Sequence, residues 1–196
     1  MSDRNSARGR PDLFLSAKTS TAIPARCGLL REALVQASLD PKVRSIEYVA
    51  SAVVASEPID LDAIVLRRDD GRFLLDVVPA GRVRGQKDCR SAASAVAELG
   101  LTPLTVTAED IAREPRCGNA RLVWSYNGIR VRVELRLAIL KTLMDEGPMP
   151  LGRLLETVRS EHDPAPALMA LACADAVELD LESLRLGPMT MVSPRT

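Results

Sequence analysis

The sequence predicts a mixed α/β protein, a β-sheet flanked by helices with a smaller helical unit after it, and three observations carry that expectation. Two β-rich runs, DLDAIVLRR and RFLLDVV, are joined through Asp70-Gly71, a strong hairpin signal. Between Pro79 and Gly100 the apolar period then changes from alternation to helical spacing. From Arg130 helical spacing persists through three segments and gives way to a short alternating stretch.

Leu29, Leu30, Ala33, Leu34 and Ala37 recur on one helical face, and Asp40-Pro41 ends that first helix. Val43 to Val54 is rich in β-branched residues and reads as a strand interrupted near Ala50-Ser51. The hairpin follows. Cys89, Ala92, Ala93, Val96, Ala97 and Leu99 then form the stripe of a helix closed by Gly100, which crosses the sheet to a short parallel strand at Leu104 to Thr107. Asn119 to Tyr126 reads as a helical turn stopped by Asn127-Gly128. Beyond it, Val133, Leu137, Leu140 and Leu143 mark one helix, Leu151 to Val158 a second and Ala167 to Ala174 a third, before AVELDLESLRLGPMTMVSP alternates like two strands around a turn. Three helices and a hairpin outline a winged helix. The expected division is a flexible tail over 1–24, an α/β core over 25–128 and a winged-helix-like domain over 129–196.

Composition removes several function classes. An apolar fraction of 46% with 27% charge describes a globular chain, and no apolar run approaches the roughly 20 residues that span a bilayer. The N-terminus carries arginines but no continuous apolar segment of an export signal, so a cytoplasmic location is expected. Cys27, Cys89, Cys117 and Cys173 are scattered and His162 is the sole histidine, which argues against a zinc site and for buried free thiols. His162, beside Asp163 and before Pro164, reads as a loop residue rather than a catalytic base. Net charge is formally zero, so no overall basic field recruits nucleic acid.

The α-β-β-β-α-β order, with an acid on each strand of the hairpin, is the arrangement of PD-(D/E)XK nucleases. More narrowly, the chain resembles the TnsA-like transposase endonucleases. REALVQASLDPKVRSIE resembles their passage from helix to strand, DLDAIVLRRDDGRFLLDVVP their central hairpin, and SAASAVAELGLTPLTVTAEDI their crossover. The resemblance spans about Ala25 to Val192, and implies a restriction-endonuclease-like core with a winged-helix-like domain behind it.

It also implies a site of metal-assisted phosphodiester hydrolysis, in which two carboxylates hold Mg²⁺ and a lysine orients water and stabilises charge. Asp62 and Asp76 stand at the two acid positions, with Asp60 the alternative to Asp62 because both fall on one strand face by alternation. Val78 occupies the lysine position. The family's helix-one glutamate falls at Leu30, with Glu32 the nearest acid. Lys87 is the lysine placed to reach back into such a site. Arg82, Arg84, Lys87 and Arg90 gather at a helix start, where they suit duplex-DNA phosphates; Arg130, Arg132 and Arg136 are expected on an exposed helix face. The first reading is therefore a degenerate, non-catalytic endonuclease fold without a cofactor, binding DNA or a transposition-type protein partner. The alternatives are an active Mg²⁺-dependent endonuclease using Asp62, Asp76 and Lys87, and a protein-binding adaptor that acts through its C-terminal domain without nucleic acid.

Overall fold

The computed structural model describes residues 12–25, 27–54, 57–79, 99–158, 160 and 163–195. Its elements begin inside the stretch expected to be a flexible tail. Strands β1 (Leu13–Phe14) and β2 (Ile23–Pro24) pair antiparallel, and Phe14 and Ile23 are fully buried. Two-residue strands are too short to leave a periodic signal, so only the packing of these side chains reveals them.

Helix α1 (Gly28–Leu39) buries Ala33, Leu34, Val35 and Ala37 against a sheet which, among the described residues, has the order β3-β4-β5-β6. Strands β3 (Val43–Val54), β4 (Glu57–Arg68) and β5 (Gly71–Val78) are antiparallel neighbours, and β6 (Thr102–Thr107) lies parallel to β5. The tight turn is Asp69-Asp70, one residue earlier than the Asp-Gly signal suggests, and neither aspartate has a positive φ. Gly71 takes that conformation instead, with φ 147° at the first residue of β5. The helix expected between β5 and β6 falls in 80–98, outside the described residues.

Alternation sorts the sheet's two faces. Ile46, Ile64, Leu66, Phe73, Leu75 and Leu104 meet α1, whereas Val49, Val65 and Leu74 meet Leu99 and Leu101 on the other face. After β6 the chain forms α2 (Ala108–Ala112), which the sequence reading missed although Thr107 and Asp110 spell its capping box. Thr107 Oγ1 accepts from the Asp110 amide at 3.1 Å and Asp110 Oδ2 accepts from the Thr107 amide at 3.1 Å. These bonds hold the Asp110 carboxyl below the usual carboxylate range. Helix α3 (Arg116–Trp124) is longer than the single turn expected, and its Trp124 ring stacks on Phe14 at 5.4 Å.

A separate helix and strand subdomain follows: α4 (Val133–Glu146), β7 (Met149–Pro150), α5 (Leu151–Thr157), α6 (Ala165–Cys173), β8 (Val177–Leu179) and β9 (Met191–Pro194). Its small sheet has the order β7-β9-β8, antiparallel throughout. The α4 register differs from expectation, because Ile139 and Leu143 are its buried residues while Val133 and Leu137 are exposed. No helix among the described residues is long and apolar enough to cross a membrane.

The two units meet along a polar seam centred on Asp175. Helix α6 ends in a Schellman motif, with the Ala176 amide donating to Leu171 O at 2.9 Å and the Asp175 amide to Ala172 O at 3.1 Å. Asp175 fills the left-handed position, φ 55°, that glycine usually takes. Its Oδ1 faces Lys18 Nζ at 3.3 Å and Arg195 Nε at 3.2 Å. Lys18 Nζ also donates to Asp40 O at 2.7 Å, and Arg195 donates to Pro41 O at 2.6 Å and pairs with Glu178 at 2.6 Å. Lys18 and Arg195 are largely withdrawn from water, so Asp175 offsets two desolvated cations.

Two predictions follow from this seam. Asp175→Asn keeps a side chain that tolerates the left-handed backbone but removes the charge, and should cost about 3 kcal/mol in urea unfolding. A loss below about 0.5 kcal/mol would put the seam with ordinary surface pairs. The second concerns pH. Burial, against the opposing pull of Asp175, lowers the Lys18 amine below its ordinary 10.5. The folded protein therefore binds fewer protons there than the unfolded chain in the window just below 10.5, and stability from this group rises with pH across that window. Wild type should gain on Lys18→Met as pH climbs from 8 towards 10; parallel curves would exclude the linkage.

Candidate functional site

The two predicted acids stand at one end of the β4-β5 pair. That ladder runs from Arg68 opposite Gly71 to Ile64 opposite Leu75, and Asp62 and Asp76 lie just beyond its last rung. The strand is not regular there. Val49 pairs with Ala63 and Ser51 with Asp60, so Leu61 and Asp62 together oppose Ala50 in a bulge, and Asp62 has φ 46°. The interruption foreseen near Ala50-Ser51 is this bulge, with the extra residue on β4.

The bulge changes which acids share a face. Asp62 accepts a hydrogen bond from the Tyr48 hydroxyl at 2.7 Å, and Tyr48 pairs with Ile64 on the α1 face. Asp76 alternates with Leu75 and so belongs with Leu74 to the opposite face, as does Val78. The extra residue puts Asp60 in register with Ala63, whose side chain shares the Val65 face. The structure therefore separates Asp62 from Asp76 and sets Asp60 on the face of Asp76 and Val78. The expectation that Asp60 and Asp62 share a face fails because one inserted residue shifts the alternation.

The helix-one position is filled as the sequence suggests. Leu30 packs with the core beneath α1, and Glu32 is engaged by Arg121 of α3. Among the described residues no group of three His, Cys, Asp or Glu side chains could hold a metal ion. Lys87, Arg82, Arg84 and Arg90 lie outside the described residues, as do His162 and Cys89.

Among the described residues the buried thiols offer no activated nucleophile. Cys173 donates to Val123 O at 3.2 Å, and burial pushes its thiol up to about 11. Burial also raises the Cys117 thiol. Cys27, expected to be buried, is exposed.

In the C-terminal subdomain the third helix is the informative element. A groove-reading helix needs an exposed polar face, yet residues 167–173 of α6 are all buried and the helix carries no charged side chain. At its start the Asp163 carboxylate accepts from the Ala165 amide at 2.9 Å, so an acid occupies the position a phosphate would seek. The loop between β8 and β9 is fastened as well. Asn119 of α3 donates to Leu181 O at 2.9 Å and Leu184 O at 2.7 Å, and its Oδ1 accepts from the Leu186 amide at 2.8 Å. Arg130 and Arg132 precede α4, Arg132 in extended backbone at its start, and Arg136 sits in its first turn, all three exposed.

Beside α2 a groove of about 470 Å³ collects Arg68, Arg113 and Arg116 with Asp110, Glu114 and Glu182, a lining whose charges cancel. Arg68 rests over the Phe73 ring at 5.2 Å, with its Nε buried and without a hydrogen-bond partner.

Sequence reading missed Lys18, Asn119, Asp175 and Arg195, whose partners lie far away along the chain. One local signal existed: Asp175-Ala176 after an apolar helix stands where a glycine cap is normally sought. No protein-family model matches the chain, and no curated protein matches it either.

Proposed function

We propose that this chain is a nuclease-fold protein of the PD-(D/E)XK type, similar to the TnsA-like transposase endonucleases, whose site has lost hydrolysis and whose role is binding within a larger assembly. The pair Asp76 and Val78 carries the reading. Two residues apart on β5, they share a face, and the position that needs a cation holds an isopropyl group. Valine neither donates a hydrogen bond nor carries charge. Helix α1 followed by β3, β4, β5 and the parallel β6 supports the fold half of the proposal.

The order α4, β7, α5, α6, β8, β9 with a β7-β9-β8 sheet supports a winged-helix-like C-terminal unit. Burial of α6 and the anchoring of the β8-β9 loop favour a protein-docking role for it over a DNA-reading one. In this reading duplex DNA is touched from the core, by Arg82, Arg84, Lys87 and Arg90.

Two experiments test the proposal. Loss of one electrostatic contributor at a phosphoryl site typically costs about 10² to 10³ in rate, so the protein with Mg²⁺ or Mn²⁺ should cut DNA no faster than Asp76→Ala. Nicking regained by Val78→Lys should require Asp60, on the same face, and survive Asp62→Ala. If wild type cuts and Lys87→Ala stops it, the active-endonuclease reading replaces this one. For DNA contact, replacing Arg82, Arg84, Lys87 and Arg90 by alanine should flatten the salt dependence of duplex binding by roughly three to four charge equivalents. An unchanged slope, or no binding by wild type, leaves a protein-only adaptor.

A further inference from the structure

Helix α4 carries an apolar stripe on the side away from its own core. Val133 is 65% exposed, Leu137 60% and Met144 76%, with half-buried Leu140 between them. At 3.6 residues per turn these four fall within an arc of about 60°, centred about 110° from the buried Ile139 and Leu143. A solvated helix puts charge in the middle of its exposed arc. Here the charges flank the stripe: Glu134 and Lys141, two turns apart, with Asp145 on one side, and Arg136 on the other, all exposed.

We propose that this face is an interface between two copies of the chain, with their α4 helices packed antiparallel about a two-fold axis. The charge pattern selects that occupant. A two-fold antiparallel pair brings each flank against the same flank of its copy. Pairing centred between Leu137 and Ala138 sets Leu137 beside its own copy and Val133 against Met144 of the second copy. The same register aligns Glu134 with Lys141 of the second copy, and Lys141 with Glu134, so one helix supplies both halves of two ion pairs. Arg136 meets its copy at the rim, where water and salt screen the repulsion. A helix of 14 residues is about 21 Å long, which gives a small interface and a weak, concentration-dependent dimer. The interface is independent of the nuclease-fold reading and stands or falls without it.

Sedimentation equilibrium on the full chain, from roughly 10 µM to 1 mM, tests the pairing in the range where small interfaces associate. Wild type should pass from monomer to dimer, and Leu137→Arg, at an exposed position, should remain monomeric with an unchanged thermal melt. Glu134→Lys alone or Lys141→Glu alone should weaken association about tenfold, since each turns two attractions into repulsions. The double swap should restore it, and the two single variants mixed should associate more tightly than either alone. A wild type that stays monomeric throughout, as it would if this face served a different protein, overturns the proposal. So does a dimer indifferent to Leu137→Arg, or a double swap no better than the singles.

Discussion

Asp175 joins two cations that arrive from opposite ends of the chain. Lys18 comes from the loop between β1 and β2, and Arg195 from just beyond β9. Both are largely withdrawn from water, and the carboxylate offsets their desolvation: it is the ion partner of Lys18, which otherwise donates to Asp40 O, and it shares Arg195 with Glu178. The backbone at Asp175 contributes as well. Its left-handed conformation closes the α6 cap and aims the side chain away from the helix, into the seam. A helix stop and an ionic junction are thus built on one residue.

That junction decides what α6 can do. With its C-terminal cap fixed to the core, the helix is packed on every side from 167 to 173, and its alanines allow close approach to α3. The C-terminal unit therefore turns its third helix inward. Asn119 extends the same constraint to the β8-β9 loop by using three of its hydrogen-bonding positions on that loop's backbone. A buried amide held by three hydrogen bonds gives rigidity and geometric specificity rather than large net stability. Apolar surface does remain exposed on α4, where Val133, Leu137 and Met144 lie outside the core.

Local signals made most of the architecture legible. The α1 stripe, the β-rich runs of the hairpin and the spacing of α4 to α6 are short-range patterns, and the elements follow them. Legibility ended where one residue changed the count. The Asp62 bulge shifts alternation by one, and that alone moves Asp60 to the face of Asp76 and leaves Asp62 bonded to Tyr48 on the other. Nothing in PIDLDAI announces it, because aspartate tolerates a left-handed φ without the mark a glycine would leave. For α4 the period was read correctly and the phase was not: Val133 and Leu137 belong to the helix's apolar pattern but lie outside the core. Periodicity identifies an apolar face, and only tertiary packing says which apolar face the protein itself uses.

The pattern change near Asn127-Gly128 marks a boundary of sequence character that packing energy does not respect. Leu39 and Trp124 pack against both principal hydrophobic clusters, and Trp124 stacks on Phe14 from the first strand. Arg195 reaches the carbonyls of Pro41 and Val43 at the opening of β3. Opening the seam would uncover apolar surface of α6 and Trp124, part Lys18 from Asp175 and take Arg195 from the Pro41 and Val43 carbonyls, so both apolar and polar terms oppose it together. Relative motion of two units is the ordinary expectation when their interface is small and polar. Here apolar contacts through Leu39 and Trp124 lie beside the desolvated ionic seam, which argues that the C-terminal unit and the sheet move and unfold as one body.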